Sequence, residues 1–132
     1  MKVLAVDSSS ATACVSLVKD GKTVAEFFVN AGLTHSETLA PMIKSVLDCS
    51  ATTAEDIDLY AVTVGPGSFT GLRIGISVIK AMALANNKPC VGVSSLYALA
   101  LNTDKSEKTV CACMDARRGG VYNELDRSEE RR

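Results

Sequence analysis

Residues 2–6 are apolar after the first lysine and give way abruptly to Asp7-Ser8-Ser9-Ser10. A run that is apolar at successive positions, without alternation, fits a strand covered on both faces, so a central strand is predicted here. Ala13 to Val18 and Thr23 to Val29 flank Asp20-Gly21, a dipeptide that accepts positive φ and closes a hairpin. Three antiparallel strands therefore open the chain. Thr34-His35-Ser36-Glu37 has the spacing of a capping box, and Leu39, Met42, Ile43, Val46 and Leu47 follow at helical spacing to about Cys49. Pro41 removes one internal hydrogen bond and predicts a bend in the first turns.

Asp58 to Val64 reads as the next strand, and the stretch TVGPGSFTGLRIGIS, residues 63–77, hands it to a helix that begins near Thr70 or Gly71 and is stopped by Pro89. Cys90 to Val93 is predicted as a short buried strand. Ser94 or Ser95 caps a helix over Leu96 to Leu101, and residues 102–108 form a polar linker. The order is β-β-β-α-β-α-β-α. Beyond the linker, Thr109 to Met114 predicts a strand, residues 115–120 a turn and Val121 to Leu125 a return strand, while residues 126–132 are mostly charged with nothing to bury. Residues 1–104 thus read as one domain, and 105–132 as a linker, the opening hairpin of an incomplete second domain and a charged tail.

The helix after the glycine-rich turn is apolar on two sides. Leu72, Ile76, Ile79 and Ala83 form one stripe and Ile74, Val78, Met82 and Ala85 another, with Arg73, Ser77 and Lys80 on a narrow polar edge. Such a helix has to be covered twice, once by the sheet and once by a neighbouring helix or a partner. Gly71, Gly75 and Ala81 predict a close helix–helix seam with the 39–47 helix, extended by another chain. Ordinary packing within the chain is the competing reading.

Composition narrows the classes. The chain has 132 residues, 47% of them hydrophobic, and a net charge of −1, so it can bury a core but shows no basic excess for nucleic acid. Its amino-terminal apolar run is too short for a signal peptide, and residues 72–85, broken by Arg73 and Lys80, fall short of a membrane span of roughly 20 residues. A soluble cytosolic protein is expected. Its five cysteines lack CxxC spacing and sit in apolar runs, which predicts buried reduced thiols rather than zinc ligands or disulfides.

Several chemistries fail on spacing. Gly65 and Gly67 lack the second glycine and lysine of a Walker A loop, and G-x-G-x-x-G fits only with Thr70 in the third glycine position. His35 can be drawn into a hydrolase triad with Asp7 and a serine, but no serine lies in G-x-S-x-G. One histidine without clustered acids gives no metal site. Asp7-Ser8-Ser9-Ser10 at the end of the first strand resembles the metal and phosphate loop of actin-like ATPases, without its usual glycine.

LAVDSSS, HSETLAP, VTVGPGSFTGLRIGIS, VGVSSLYALA and MDARRGGVY, in this order, closely resemble the TsaB (YeaZ) family over residues 1 to about 122. The resemblance implies an α/β actin-like, Hsp70-like (ribonuclease H-like) domain with a mixed five-stranded sheet. It also implies a non-catalytic relative of TsaD, without metal or cofactor. In that family TsaD holds the metal and transfers a threonylcarbamoyl group to N6 of adenosine 37 in tRNAs reading codons that begin with A. TsaB activates TsaD, the ATPase TsaE joins them, tRNA is met only through the complex, and TsaB also forms homodimers. The implied pairing surface comprises His35, Ser36, Leu39, Met42 and Ile43 of the first helix with Leu72, Arg73, Ile76, Ile79 and Lys80 of the second; Ile76→Asp is expected to abolish pairing. Asp7, Ser8, Ser9, Gly65, Gly67 and Ser68 become degenerate phosphate-loop positions. The family usually has glutamate at the position of Gly120 and continues into a complete second domain, whereas residues 123–132 turn charged and stop. The rival readings are an actin-like ATPase using Asp7 and the 65–68 turn, and a self-associating fragment without activity.

Overall fold

The computed structural model describes residues 1–30, 32, 34–103 and 109–127. Strands β1 (Lys2–Asp7), β2 (Ala13–Lys19) and β3 (Lys22–Val29) form an antiparallel meander, followed by α1 (His35–Cys49), a short 3-10 turn (Ala54–Asp56) and β4 (Leu59–Gly65). Then come α2 (Phe69–Ala85), β5 (Cys90–Ser94) and α3 (Ser95–Ala100). The first five strands make one mixed sheet in the order β3-β2-β1-β4-β5, with β4 parallel to both β1 and β5. A separate two-stranded sheet pairs β6 (Thr109–Arg117) with β7 (Gly120–Arg127). This is the α/β architecture and element order that the pattern predicts. Residues 104–108 of the predicted 102–108 linker, where the predicted boundary falls, and residues 128–132 of the predicted tail lie outside the described residues.

Local chemistry explains most element ends. Asp20 and Gly21 both take positive φ, which matches the twist of a two-residue hairpin between β2 and β3. The Thr34 N–H donates to the Glu37 carboxylate at 3.3 Å and the Thr34 hydroxyl donates to it at 2.6 Å, so Glu37 holds the first turn of α1 as expected. That contact lowers the Glu37 pKa. Pro41 sits inside α1, whose hydrogen bonding is supplemented by Ser45 Oγ donating to the Pro41 carbonyl at 2.9 Å.

The main core lies between one face of the sheet and the two helices α1 and α2. Leu4, Val6, Val15, Leu17, Leu39, Val46, Tyr60 and Ile79 form its centre. Tyr60 reaches through it, its hydroxyl donating to the Ala54 carbonyl at 2.9 Å. A smaller cluster joins Leu96 and Ala100 of α3 to Ala112 of β6.

Five expectations need correction. β1 is central, but only Leu4 and Val6 are buried while Val3 and Ala5 on the other face are half-buried. β5 is not buried: it is the edge strand, with Cys90, Val91 and Gly92 exposed, and an apolar run alone does not distinguish edge from centre. Cys49, Cys90, Cys111 and Cys113 are exposed free thiols and Cys14 is half-buried, because each apolar run containing an exposed thiol turns one side to solvent. α2 stops at Ala85 rather than at Pro89, because Asn87 adopts positive φ and the Lys88 N–H returns to the Ala83 carbonyl at 2.9 Å. Finally, β7 extends through Arg127 and buries Asp126, so part of the charged segment is inside.

Candidate functional site

The predicted phosphate loop is built where β1 ends, where β4 hands over to α2, and at the N-terminus of α2. Asp7 Oδ1 accepts the Ser9 N–H at 2.9 Å and the Thr63 hydroxyl at 2.8 Å, so this oxygen links β1 to β4. The Ser68 N–H donates to the Ser9 carbonyl at 2.6 Å, and Ser68 Oγ caps α2 by accepting the Gly71 N–H at 3.3 Å. Gly67 lies against Ser9 so closely that a Cβ would stand 2.8 Å from the Ser9 Cβ. The Gly65–Pro66 peptide is cis, and Gly65 takes positive φ. Ser8 is fully buried and donates its hydroxyl to the Gly71 carbonyl at 2.9 Å. These contacts join β1 to the start of α2 and leave Gly67 and Gly71 no room for a side chain.

The same geometry corrects the reading of the α2 glycines. Gly71, Gly75, Ile79 and Ala83 form the buried stripe. A Cβ on Gly71 would collide with the Ser8 carbonyl oxygen and approach His35 Cδ2 to 3.0 Å; one on Gly75 would collide with Ser8 Oγ. The closest approach is to Ser8 of the loop after β1, with only His35 at the start of α1 beside it, and Ala81 is exposed. His35 Nε2 donates to the Ser10 carbonyl at 2.7 Å, which pins the start of α1 to this loop and engages that nitrogen with backbone rather than with a serine hydroxyl. Cys14, paired across the ladder with Asp7, faces Glu26; burial first and the Glu26 charge second raise its pKa to about 11.

Two of the open features border this loop and the helices that follow it. A cleft of about 510 Å³ runs between Ser9, Ser10, Ser68 and Phe69 on one side and Asp115, Arg117 and Tyr122 of the hairpin on the other. Between α1 and α2, two adjoining hollows of about 430 and 480 Å³ share Ala40 and Val78 and make one groove along both helices. Its floor is Leu39, Ile43, Leu47, Ile74, Val78 and Met82; His35, Ser36, Thr70 and Arg73 rim one end, Lys44 and Asp48 the other. Arg73 lies 5.4 Å from the centre of the exposed Phe69 ring, placing a cation over an aromatic face beside the groove.

The residues expected to form the pairing surface divide accordingly. His35, Ser36, Leu39, Ile43 and Arg73 line the groove, although Leu39 and Ile43 lie at its bottom and are themselves buried. Met42 and Ile79 belong to the core, Leu72 and Ile76 are half-buried outside the groove, and Lys80 is exposed outside it. The groove is lined instead by Ile74, Val78 and Met82, the second apolar stripe of α2. Both stripes are legible in the sequence, whereas the pairing residues come from the resemblance; Gly71 and Gly75, set against the Ser8 carbonyl and hydroxyl, mark the buried side.

Residues 29–130 match the family model described as TsaD: tRNA N6-adenosine threonylcarbamoyltransferase. The tRNA threonylcarbamoyladenosine biosynthesis protein TsaB of Escherichia coli is 38% identical over 124 residues, covering 92% of this chain and 53% of that protein. This chain belongs to the TsaD family, on its TsaB (YeaZ) side. TsaB of Bacillus subtilis is 34% identical over 125 residues, covering 95% of this chain and 55% of that protein. The solved structure of YeaZ from Pseudomonas aeruginosa superposes with a TM-score of 0.87 at 31% identity, over 96% of this chain and 60% of that one. The chain thus spans little more than half the length of these TsaB relatives. Among the described residues no helix is long and apolar enough to cross a membrane.

Proposed function

We propose that this chain is a non-catalytic subunit of a tRNA threonylcarbamoylation system, which docks TsaD through the α1–α2 groove and orders it for group transfer. TsaE is a further component of the assembly, tRNA is met only through it, and the complex works in the cytosol. In this reading residues 1–104 form the docking domain and 105–132 open a second one. The observation that carries it is the pairing of an apolar groove, open along two helices, with a phosphate-loop relic whose Asp7, Ser8 and Ser68 side chains hydrogen-bond within the fold. The groove offers a partner helix a surface of the kind seen in helix-in-groove recognition.

The test is to mix the purified chain with TsaD and TsaE and follow both co-elution and tRNA modification. Ser77 and Ala40 are exposed and line the groove, so Ser77→Arg and Ala40→Arg fill it without touching the core. Each is expected to keep stability within about 0.5 kcal/mol while losing co-elution and the gain in modification over TsaD alone. Unchanged co-elution in both variants would place docking elsewhere. Self-pairing through the same groove is the competing use of the surface, and predicts a homodimer that added TsaD does not dissociate. Micromolar binding of magnesium ATP to the isolated chain would favour the ATPase reading instead.

A further inference from the structure

The cysteines expected to be inert include one pair brought together by the strand itself. Cys111 and Cys113 stand two residues apart on β6, so both side chains project from the same face of the hairpin. Both are exposed, and their sulfurs are 3.6 Å apart. Opposite them in the ladder are Leu125 and Asn123, and neither supplies a charge or a third thiol. Ala112, between them, points the other way into the cluster with Leu96 and Ala100, which anchors the strand behind the pair.

From this juxtaposition we infer that Cys111 and Cys113 form a redox-reactive dithiol, a modification site at which a small-molecule disulfide closes a reversible bond within β6. One thiolate attacks the small disulfide, forming a protein mixed disulfide and expelling one small thiolate. The second cysteine thiolate then attacks the protein sulfur, the protein S–S bond forms, and the other small thiolate leaves. The two protons lost by the cysteines end on the two small thiols. The protein is oxidised by two electrons and the small disulfide is reduced by two. The hydrogen bond with Cys113 raises the pKa of Cys111, which suits Cys111 to the second, resolving step.

Strand geometry strains the bond and so makes it easy to reverse. Successive same-face residues of a strand have Cα atoms about 6.7 Å apart, close to the upper end of about 6.8 Å for disulfides. Bringing the sulfurs from 3.6 Å to about 2.05 Å therefore draws β6 into a pucker at Ala112. That loosens the Ala112 contact with α3, and oxidation is read out in the packing of the hairpin.

The chain carries its own controls. Cys49 and Cys90 are exposed and solitary, and Cys14 is half-buried with its thiol held protonated. After incubation of the reduced full chain with oxidised glutathione, intact mass and peptide mapping should show glutathione adducts on Cys49 and Cys90. The peptide carrying Cys111 and Cys113 should instead lose about 2 Da, restored by dithiothreitol. Cys111→Ser should leave a persistent adduct on Cys113, and Cys113→Ser one on Cys111. Hydrogen exchange across residues 109–117 should be faster in the oxidised form. Persistent adducts on both cysteines of the unmodified sequence would overturn the inference. So would two free thiols there while Cys49 has reacted. These outcomes are independent of whether the chain docks TsaD.

Discussion

Ser8 shows how a side chain suited to one chemistry is committed to another. In an ATP-binding loop its hydroxyl would face phosphate; here it is buried, donates to the Gly71 carbonyl and fills the space above Gly75. A methyl group at Gly75 collides with Ser8 Oγ, although it would lie only 3.4 Å from Ser8 Cβ and 3.5 Å from a Val62 methyl. Gly75→Ala is therefore expected to destabilise by about 1–3 kcal/mol, and Ser8→Ala by about 1 kcal/mol through its lost hydrogen bond. Together they should cost less than their sum, with a favourable coupling of about 1–2 kcal/mol, because the new methyl occupies the place of the removed hydroxyl. Gly71→Ala should show no such rescue, since its obstacle is the Ser8 backbone. Denaturant titration of the four proteins decides the point; strict additivity would mean that the helix and loop shift to accommodate the methyl. Cys14 gives a second residue-scale expectation. Its pKa of about 11, against an ordinary 9.0, leaves about a hundredfold less thiolate at pH 8, so iodoacetamide should alkylate it at least tenfold more slowly than a thiol of ordinary pKa. The sign of the linkage is that of a raised folded-state pKa. The stabilisation is complete below pH 9 and fades as pH rises toward 11, so Cys14→Ala should flatten the alkaline decline in stability over that window.

Helix α2 is the element on which fold and function meet. Its buried stripe runs through Gly71, Gly75, Ile79 and Ala83, and its open stripe through Ile74, Val78 and Met82. The two should separate in experiment. Ile79→Ala should cost about 2–4 kcal/mol by leaving a cavity, yet retain TsaD binding at temperatures where the chain is folded, because Ile79 never reaches the groove. If binding disappears while calorimetry shows a folded protein, the docking surface includes the sheet side of α2. The same helix shows what was legible in advance. Its existence, its start at a glycine-rich turn and its double apolar character follow from residue spacing, as do the hairpin at Asp20-Gly21 and the Glu37 cap of α1. Which stripe faces the sheet does not, because periodicity reports that a face is apolar and not what covers it. The glycines held the answer in a form that sequence leaves ambiguous: both a backbone loop and a neighbouring helix require the absence of a side chain. The exposure of Cys90 and the burial of Asp126 were hidden for a related reason, since strand order across a sheet and contacts between α3 and the hairpin are long-range facts. The Ser8 and Asp7 hydrogen bonds are likewise made to residues some sixty positions away, so the loop looked available for phosphate until its partners were in place.

At the scale of the molecule, two units of unequal strength share one chain. The five-stranded sheet is closed on one face by α1 and α2 over a large continuous core, whereas β6 and β7 rest on α3 through Leu96, Ala100 and Ala112, with Val110 and Met114 half-buried beside them. An isolated two-stranded hairpin is marginal in water, and so is a helix as short as the six residues of α3. Each therefore depends on the other, with Ser94 Oγ donating to Glu124 at 3.2 Å as an additional tie. Within this smaller cluster Asp126 Oδ2 and Ser95 Oγ are buried without a hydrogen-bond partner among the described residues, which weakens it further. The hairpin should consequently open in a partial unfolding event that leaves the main sheet intact. Leu96→Ala tests this directly, since it removes the largest buried side chain of the small cluster. A loss of about 2 kcal/mol there should speed amide exchange in Thr109–Arg127 by about thirtyfold and leave protection in β1, β2 and β4 unchanged. If the β1 and β4 amides accelerate by the same factor, the two units unfold as one, and α3 transmits stability from the hairpin to the sheet.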